Sequence, residues 1–446
     1  MPRRITTRLL AAALAAACGA ASAPALAAGD AYREGEVVLR PRHGPAQVVQ
    51  VGDQRDVQRT VRALRARPDL VRSAAPNPVA RIATARQAGT AELVPNDPGD
   101  GKGWQELQWN FTGPYSVNAP RAWSNAANAG GRGGRGVIVA VLDTGVAYRT
   151  AGRFRRSPDF TAKDFVRGYD FVDNDPFPED HNGHGTHVAS TIGEATNNGV
   201  GLTGLAYGAR IMPIRVLDTI GEGDALAIAR GVRFATRRGA HIINLSLEFS
   251  PEITSQEIPE LLDAIGAARR QGILVVGASG NEGYRAVAWP ARASNVLSVG
   301  ATTERGCLSE FSNEGRGLDL VAPGGGRDAS TTGEPQCKPA ERGRPIYQLT
   351  FTGSVRKFGL PGTYEGTSMA APHVSATAAL VIASKVLGAR PSPARLESHL
   401  KGTARDLGTP GQDTRYGAGL LDAAAATARR SASPIAAGSS AQPNSQ

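Results

Sequence analysis

The sequence predicts an α/β fold in which a mainly parallel sheet is sandwiched by helices, preceded by a small α+β module. Three observations predict it. Short, mostly apolar runs recur at 137–142, 211–217, 242–247, 273–276, 296–299 and 318–321, the first of them continuous and β-branched. Runs without polar alternation suit strands buried on both faces, as in a parallel sheet. Helical patterns fall around these runs, at 187–195, 225–238, 258–271, 368–387 and 393–400. Such alternation argues for a sheet covered on both sides. Glycine is also abundant, 54 of 446 residues, which suits many tight strand–loop–helix turns.

A chain of this length can bury a large core and still carry accessory segments. The content of 41% hydrophobic and 20% charged residues is ordinary for a globular protein. The formal net charge of +10 invites a nucleic-acid reading, but its distribution argues against one. Residues 1–94 hold 14 Arg and 7 acids, leaving 36 basic and 33 acidic residues beyond them. No Lys/Arg stripe with interleaved aromatics is present, so nucleic-acid binding is not expected.

Taken in order, residues 1–27 read as a signal peptide. Arg3, Arg4 and Arg8 precede a short apolar stretch at 9–17, and Ala25-Leu26-Ala27 is a small-residue cleavage site. No other stretch is long enough to span a bilayer, so a secreted protein without a membrane anchor is expected. Residues 28–94 are Arg-rich and patterned separately. A short strand is predicted at 36–40, a helical face at 57–67 through Val57, Val61 and Leu64, and an extended piece at 71–81. The main body is expected over 95–428. Residues 429–446, mostly Ser, Ala, Pro, Gln and Asn, bury too little apolar surface to order themselves and read as a disordered tail.

Three stretches carry chemistry. The strand at 137–142 runs directly into Asp143, and functional groups collect at the carboxyl ends of strands in α/β sheets. The plain alternative is an Asp capping the next turn. The second stretch, N-G-H-G-T-H-V-A at 182–189, contains His184 and His187, either of which alone would pass for a loop histidine. In E-G-T-S-M-A-A-P-H at 365–373, Ser368 opens a long run of small apolar residues. Alone it would pass for a helix-capping serine. At a helix N-terminus, free backbone N–H groups favour developing negative charge. Together the three supply a carboxylate, an imidazole and a hydroxyl, the parts that nucleophilic serine catalysis needs.

At V-L-D-T-G-V, H-G-T-H-V-A and G-T-S-M-A-A-P-H the chain resembles the subtilisin-like serine protease family. The resemblance implies a subtilisin-like fold and hydrolysis of peptide bonds in protein and peptide substrates by a monomer. Asp143 would orient His184, which would act as base toward the nucleophile Ser368. Asn281, in V-V-G-A-S-G-N-E-G, would serve the oxyanion hole with the Ser368 N–H. Substrate would lie along Ser246-Leu247 and Ala278-Ser279-Gly280. Where the family usually has Gly-Gly after S-L, this chain has Glu248-Phe249, which departs from the pattern of a pocket wall. Ala288 and Trp289 suggest an apolar first pocket with broad, apolar or aromatic P1 preference; Glu282 at its rim would instead admit a basic side chain. Residues 28–94 resemble the family's inhibitory propeptide, making the chain a self-processing precursor. The start of the mature region, with P-N-D-P and A-P-R-A-W, is similar to thermitase-like members.

Two structural Ca²⁺ sites are expected. The loop 169–181 packs Asp170, Asp173, Asp175 and Glu179 closely enough for a hard cation, the alternative being a solvated acidic loop. The resemblance implies a second site from Asp97, Asp159 and Asn198 with the carbonyls of Thr196, Val200 and Leu202. The H-G-T-H motif lacks the H-E-x-x-H spacing of a zinc site. Beyond the signal only Cys307 and Cys337 remain, and an even count in a secreted chain suggests a disulfide.

Overall fold

The computed structural model describes residues 32–44, 46–78, 93–250, 252–330 and 334–429. The expected signal peptide, the stretch 79–92 and residues 430–446 of the expected tail lie outside the described residues. The chain divides into two compact units, Met1–Gly89 and Thr90–Gln446. In the first, strands β1 (Tyr32–Pro41), β2 (Gln47–Gln50) and β3 (Val71–Pro78) form an antiparallel sheet in the order β2-β1-β3. Helix α1 (Gln54–Arg65) sets Val57, Val61 and Leu64 against Val37, Leu39, Val71 and Ala74, giving this unit its own apolar core. Strand β2 was not anticipated; its four residues are mostly exposed, so no burial pattern marks it.

The second unit is built on seven parallel strands. They are β4 (Ile138–Asp143), β5 (Tyr169–Asp170), β6 (Arg210–Arg215), β7 (Ile242–Leu245), β8 (Leu274–Ala278), β9 (Leu297–Thr302) and β10 (Leu320–Pro323). Their order is β10-β9-β8-β7-β4-β6-β5. From β4 the chain goes first to β5 at the edge, then lays β6 between β5 and β4, and then crosses to lay β7 on the other side of β4. β4 and β7 therefore flank the topological switch point, where a crevice opens beyond the carboxyl ends of the strands. Alternation along β4 feeds two cores. Val139 and Val141 face helices α2 (Ala119–Asn128), α3 (His184–Gly193) and α6 (Thr367–Ser384). Ala140 and Leu142 face α4 (Ala225–Arg237) and α5 (Pro259–Arg270). A further helix, α7 (Pro393–Gly402), adds Leu396 and Leu400 to the first core.

α6 is apolar on every side and is buried along nearly its whole length. Such a helix belongs inside a protein rather than on its surface. Its alanines let it lie close to the sheet. Two features went unforeseen. β5 has two residues, too few to show a period, and the hairpin of β11 (Thr350–Ser354) and β12 (Lys357–Gly359) is mostly polar and only partly buried.

Cys307 and Cys337, 30 residues apart, are joined by a disulfide with their Cα atoms 5.8 Å apart. Cys307 is fully buried. Closing a loop of this length contributes about 3–4 kcal/mol on chain-entropy grounds. Replacing both cysteines by alanine is therefore expected to lower the unfolding free energy by about that amount. Denaturant melts of the two proteins check this, and thiol titration of unreduced, denatured wild type should find no free thiol among these two.

Candidate active site

β4 stays apolar until it ends on Asp143, whose side chain is completely buried. A buried carboxylate needs partners. Oδ1 accepts the Thr144 N–H at 2.7 Å and lies 2.8 Å from His184 Nδ1. The carboxylate can only accept, so Nδ1 carries the proton and Nε2 is left as the basic nitrogen. The helix bearing His184 reaches this depth because Gly185 has no side chain. A Cβ there would stand 2.1 Å from the Gly145 carbonyl and 3.0 Å from Asp143 Oδ1.

α3 begins at His184 rather than near 187 because Asp180 caps the turn before it. Asp180 Oδ1 accepts the N–H groups of Asn182 and Gly183 at 2.9 Å each, and Oδ2 accepts the N–H and hydroxyl of Thr186. These are donors that a helix start leaves unsatisfied. The Thr144 hydroxyl donates to Asp180 and accepts the Gly185 N–H, stitching the end of β4 to the start of α3. Sequence reasoning missed Asp180; the signal was present as an Asp four residues before the His.

Three histidines occur in the motifs, and burial separates them. His187 is wholly buried, donates Nε2 to the Ile346 carbonyl and stacks on Tyr364 with ring centres 4.1 Å apart. Burial depresses its pKa to about 3. His373 is also wholly buried, with Nδ1 donating to the Met369 carbonyl and Nε2 accepting from Asn110; burial depresses it to about 4. Both remain neutral parts of the core. His184 keeps 26% of its side chain exposed. Its burial works against protonation, but the charge and hydrogen bond of Asp143, with help from Asp180, outweigh this and raise its pKa above the ordinary imidazole value.

Ser368 stands in the first turn of α6, beyond Gly366, which has φ +152°. Pro372 lies four residues on and has no N–H to offer the Ser368 carbonyl. That orphaned acceptor is met by the Ser246 hydroxyl at 2.8 Å. Asn244 donates to the Ser246 hydroxyl and accepts from Ser375, so a buried polar chain ties α6 to the end of β7. The Ser368 hydroxyl itself donates to the Ser246 carbonyl at 3.2 Å. It lines, with His184, a cleft of about 520 Å³. A rotation of that hydroxyl toward the cleft is what a hydrogen bond to His184 Nε2 requires, and such bonds commonly tighten only when substrate is bound.

Asn281 follows β8 and is oriented from behind. Its Oδ1 accepts the N–H and the hydroxyl of Thr367 at 2.8 and 3.0 Å. Its amide nitrogen is thereby free to donate elsewhere, and it does so to Glu248 Oε1 at 2.9 Å. Of the expected substrate segment, Ser246 and Leu247 line the cleft, followed by Glu248, Phe249 and Ser250. Ala278, Ser279, Gly280 and Ala288 do not line it directly. They form the buried layer behind it, where Ser279 O accepts the Ala288 N–H and Gly280 O accepts the Asn313 N–H. Across the cleft lie Leu217 and Ile220–Gly221–Glu222–Gly223, a wall the sequence reading missed. Ile220 is 74% exposed beside it. Glu282, expected at the pocket rim, accepts from Asn313 instead.

The two expected calcium sites fare differently. In the loop after β5, Asp170 and Asp173 both pair with Arg215, at 2.8 and 2.6 Å, and Glu179 pairs with Arg149. Asp170 Oδ1 also takes two backbone N–H groups, and Asp175 takes that of Phe177. Two arginines thus engage three of these four acids, and Asp175 turns its Oδ1 to a backbone N–H, so the acids face their own partners rather than a common point where a calcium ion would sit. At the other site, Asp97 and Asp159 are buried beside Glu194, whose two oxygens have no partner among the described residues. Burial, with the charge of Asp97, raises Asp159 to about 7, and burial with Asp159 raises Glu194 further from its ordinary value. None of the three pairs with a Lys or Arg among the described residues. Asp97 and Asp159 here accept N–H groups of Asn197, Asn198 and Leu202, and buried acids short of positive charge are the kind of set a divalent cation would neutralise. Asn198 presents its Nδ2 to Asp159 and accepts the Val200 N–H on Oδ1, so as a ligand its amide would turn over.

The comparisons agree with this architecture. The model of the Subtilase family matches residues 134–419. Subtilisin Savinase of Lederbergia lenta is 38% identical over 324 residues, covering 72% of this chain and 99% of the relative. An alkaline protease of Shouchella clausii is 38% identical, covering 72% of this chain and 70% of its own. Among solved structures, a protease from Pseudoalteromonas arctica superposes with a TM-score of 0.60 at 30% identity, over 75% of this chain and 99% of that one. A cold-adapted subtilisin-like serine proteinase gives 0.51 at 31% identity, over 65% and 89%. An α/β sheet with Asp143, His184 and Ser368 gathered at one crevice, and relatives of this kind along most of its length, make this chain a member of the subtilase family of serine peptidases.

Proposed function

We propose that this chain is a secreted serine endopeptidase, made as a zymogen and working through Asp143, His184 and Ser368. The observation that carries this is the 2.8 Å contact between buried Asp143 and His184 beside Ser368 in one cleft. His184 Nε2 would take the Ser368 proton as Oγ attacks the scissile carbonyl, forming a tetrahedral intermediate and then an acyl-enzyme. Asp143 would hold the imidazole in its Nδ1–H form and stabilise the imidazolium. The Asn281 amide and the Ser368 N–H would receive the oxyanion. The same imidazolium would return its proton to the leaving amine, and water would release the acyl group by the reverse steps.

Ala288, small and buried in the layer behind the cleft, would give the first pocket an apolar inner surface, against which apolar P1 side chains and the stems of longer ones would pack. Residues 28–94 would be the propeptide; their separate core supports a module that folds beside the peptidase and is then removed by it. Among the described residues no helix is long and apolar enough to cross a membrane. Calcium held by Asp97, Asp159 and Asn198, with the carbonyls of Thr196, Val200 and Leu202, would neutralise the buried acids and so stabilise the folded state.

Ser368→Ala is expected to cut kcat on casein by about 10⁶ while leaving the circular dichroism of the folded protein unchanged. The variant should also accumulate as a precursor starting near Ala28, whereas wild type starts within 82–96. N-terminal sequencing distinguishes the two. A base must be neutral, so kcat/KM should fall as pH drops through the His184 pKa, above the ordinary 6.5. Asp143→Asn removes the interaction that raises this pKa. The acid limb should move to lower pH while kcat falls about 10⁴-fold, as read from a pH–rate profile. Calcium at a hundredfold excess over Kd should add about 2.7 kcal/mol to stability. Chelation should lower Tm in wild type and in Asp173→Ala, and leave it unchanged in Asp159→Ala.

A further inference from the structure

Glu248 stands where the resemblance leads one to expect glycine, and its carboxylate lies in the heart of the site. Both oxygens engage Asn281, Oε1 accepting its side-chain amide at 2.9 Å and Oε2 its backbone N–H at 3.1 Å, and the carboxyl also lies within hydrogen-bond reach of Glu282. Gly280 makes room for it, since a Cβ at that position would lie 2.6 Å from Oε2. Glu282 is a close neighbour. Burial first, and then the charge of Glu282, push the Glu248 carboxyl up to about 7. Neither acid has a lysine or arginine partner among the described residues. Of the arginines close in sequence, Arg285 is exposed and pairs with Glu314 at 3.4 Å, and Arg292 lies over the Trp289 ring. Two adjacent acids without a counter-charge, one of them lining the cleft with Ser368, lack a cation that the chain itself does not supply.

We propose that Glu248 selects substrates with lysine or arginine at P1, by pairing with the incoming cation and thereby freeing the Asn281 amide for the oxyanion. This rests on the roles of Ser368, His184 and Asn281 proposed above. A long basic side chain suits the pocket on both counts, because its methylene stem packs on an apolar floor while its head reaches a carboxylate. While Glu248 holds the Asn281 amide, that donor is unavailable, and losing one oxyanion donor typically slows kcat by about 10²–10³. A P1 cation draws the carboxylate to itself and releases the amide. An apolar P1 side chain offers no such exchange. Selection should therefore be visible in kcat and not only in KM.

The test uses mature wild type, Glu248→Gly and Glu248→Gln on peptide p-nitroanilides that differ only at P1, carrying Lys, Arg, Leu or Phe. A fluorophosphonate titration of each preparation counts competent active sites, so misfolded protein is excluded from the rates. Wild type should favour Lys and Arg over Leu and Phe by about tenfold or more in kcat/KM, mostly through kcat. Glu248→Gly should reverse the order, with basic substrates falling and kcat for Leu and Phe rising. Glu248→Gln keeps an acceptor for Asn281 but no charge, and should lose the basic preference without that rise. Equal P1 ratios in all three proteins, or a wild-type preference for Leu or Phe, would overturn the proposal. Wild type that neither reacts with the fluorophosphonate nor cleaves any of the four would overturn the reading beneath it as well.

Discussion

The contact between the buried Asp143 carboxylate and His184 is the constraint on which the rest of the site depends. A carboxylate with no exposure at the end of a central strand is costly unless every neighbour is arranged to satisfy it. The surrounding sequence meets that demand at Oδ1, while Oδ2 is buried without a hydrogen-bond partner among the described residues. Glycines at 145 and 185 bring the start of α3 against the end of β4, and Asp180 with Thr144 holds the helix start in place. The fold supplies the location, because β4 and β7 flank the point where the strand order reverses. One His is thus both exposed and basic, while the other two motif histidines are buried, neutral and structural.

The second half of the site is held by a complementary device. Pro372 withdraws one N–H from the first turns of a mostly apolar helix, and the carbonyl left over belongs to Ser368. Ser246, Asn244 and Ser375 bridge that gap across to β7. Polar groups buried among alanines and valines have few alternative partners, so such a chain fixes the depth and rotation of α6 more sharply than apolar packing alone. Ser368 and His184 are carried on different helices. Each is keyed to the sheet by buried hydrogen bonds, which is how two loose ends of sequence reach a common cleft.

Much of this was legible in the sequence. The seven-stranded sheet showed itself because six of its strands fall in short, mostly apolar runs, and Asp143, His184 and Ser368 showed themselves by the motifs at the junctions between such runs and the helices that follow. What escaped notice was whatever depended on partners distant in sequence. The acids of 170–179 read as a cation site because their spacing is visible, whereas Arg215, 45 residues from Asp170, is not. Asp180 looked like one more acid of that loop, though it is the one that shapes the helix start. Glu248 was visible as a departure from pattern, but its grip on Asn281 belongs to the folded site. The short edge strand β5 and the polar hairpin carry no periodicity from which to infer them.

The most direct test of the account is a crystal structure of the mature enzyme with a peptide boronic acid bearing a lysine-like side chain at P1. Boron is expected to be bonded to Ser368 Oγ, with His184 Nε2 facing that oxygen and Nδ1 still on Asp143. One boronate oxygen should be within hydrogen-bond distance of the Asn281 amide, and Glu248 should have turned from Asn281 to the P1 ammonium group. Boron bonded to any other residue, or an imidazole detached from Asp143 in that complex, would contradict the account.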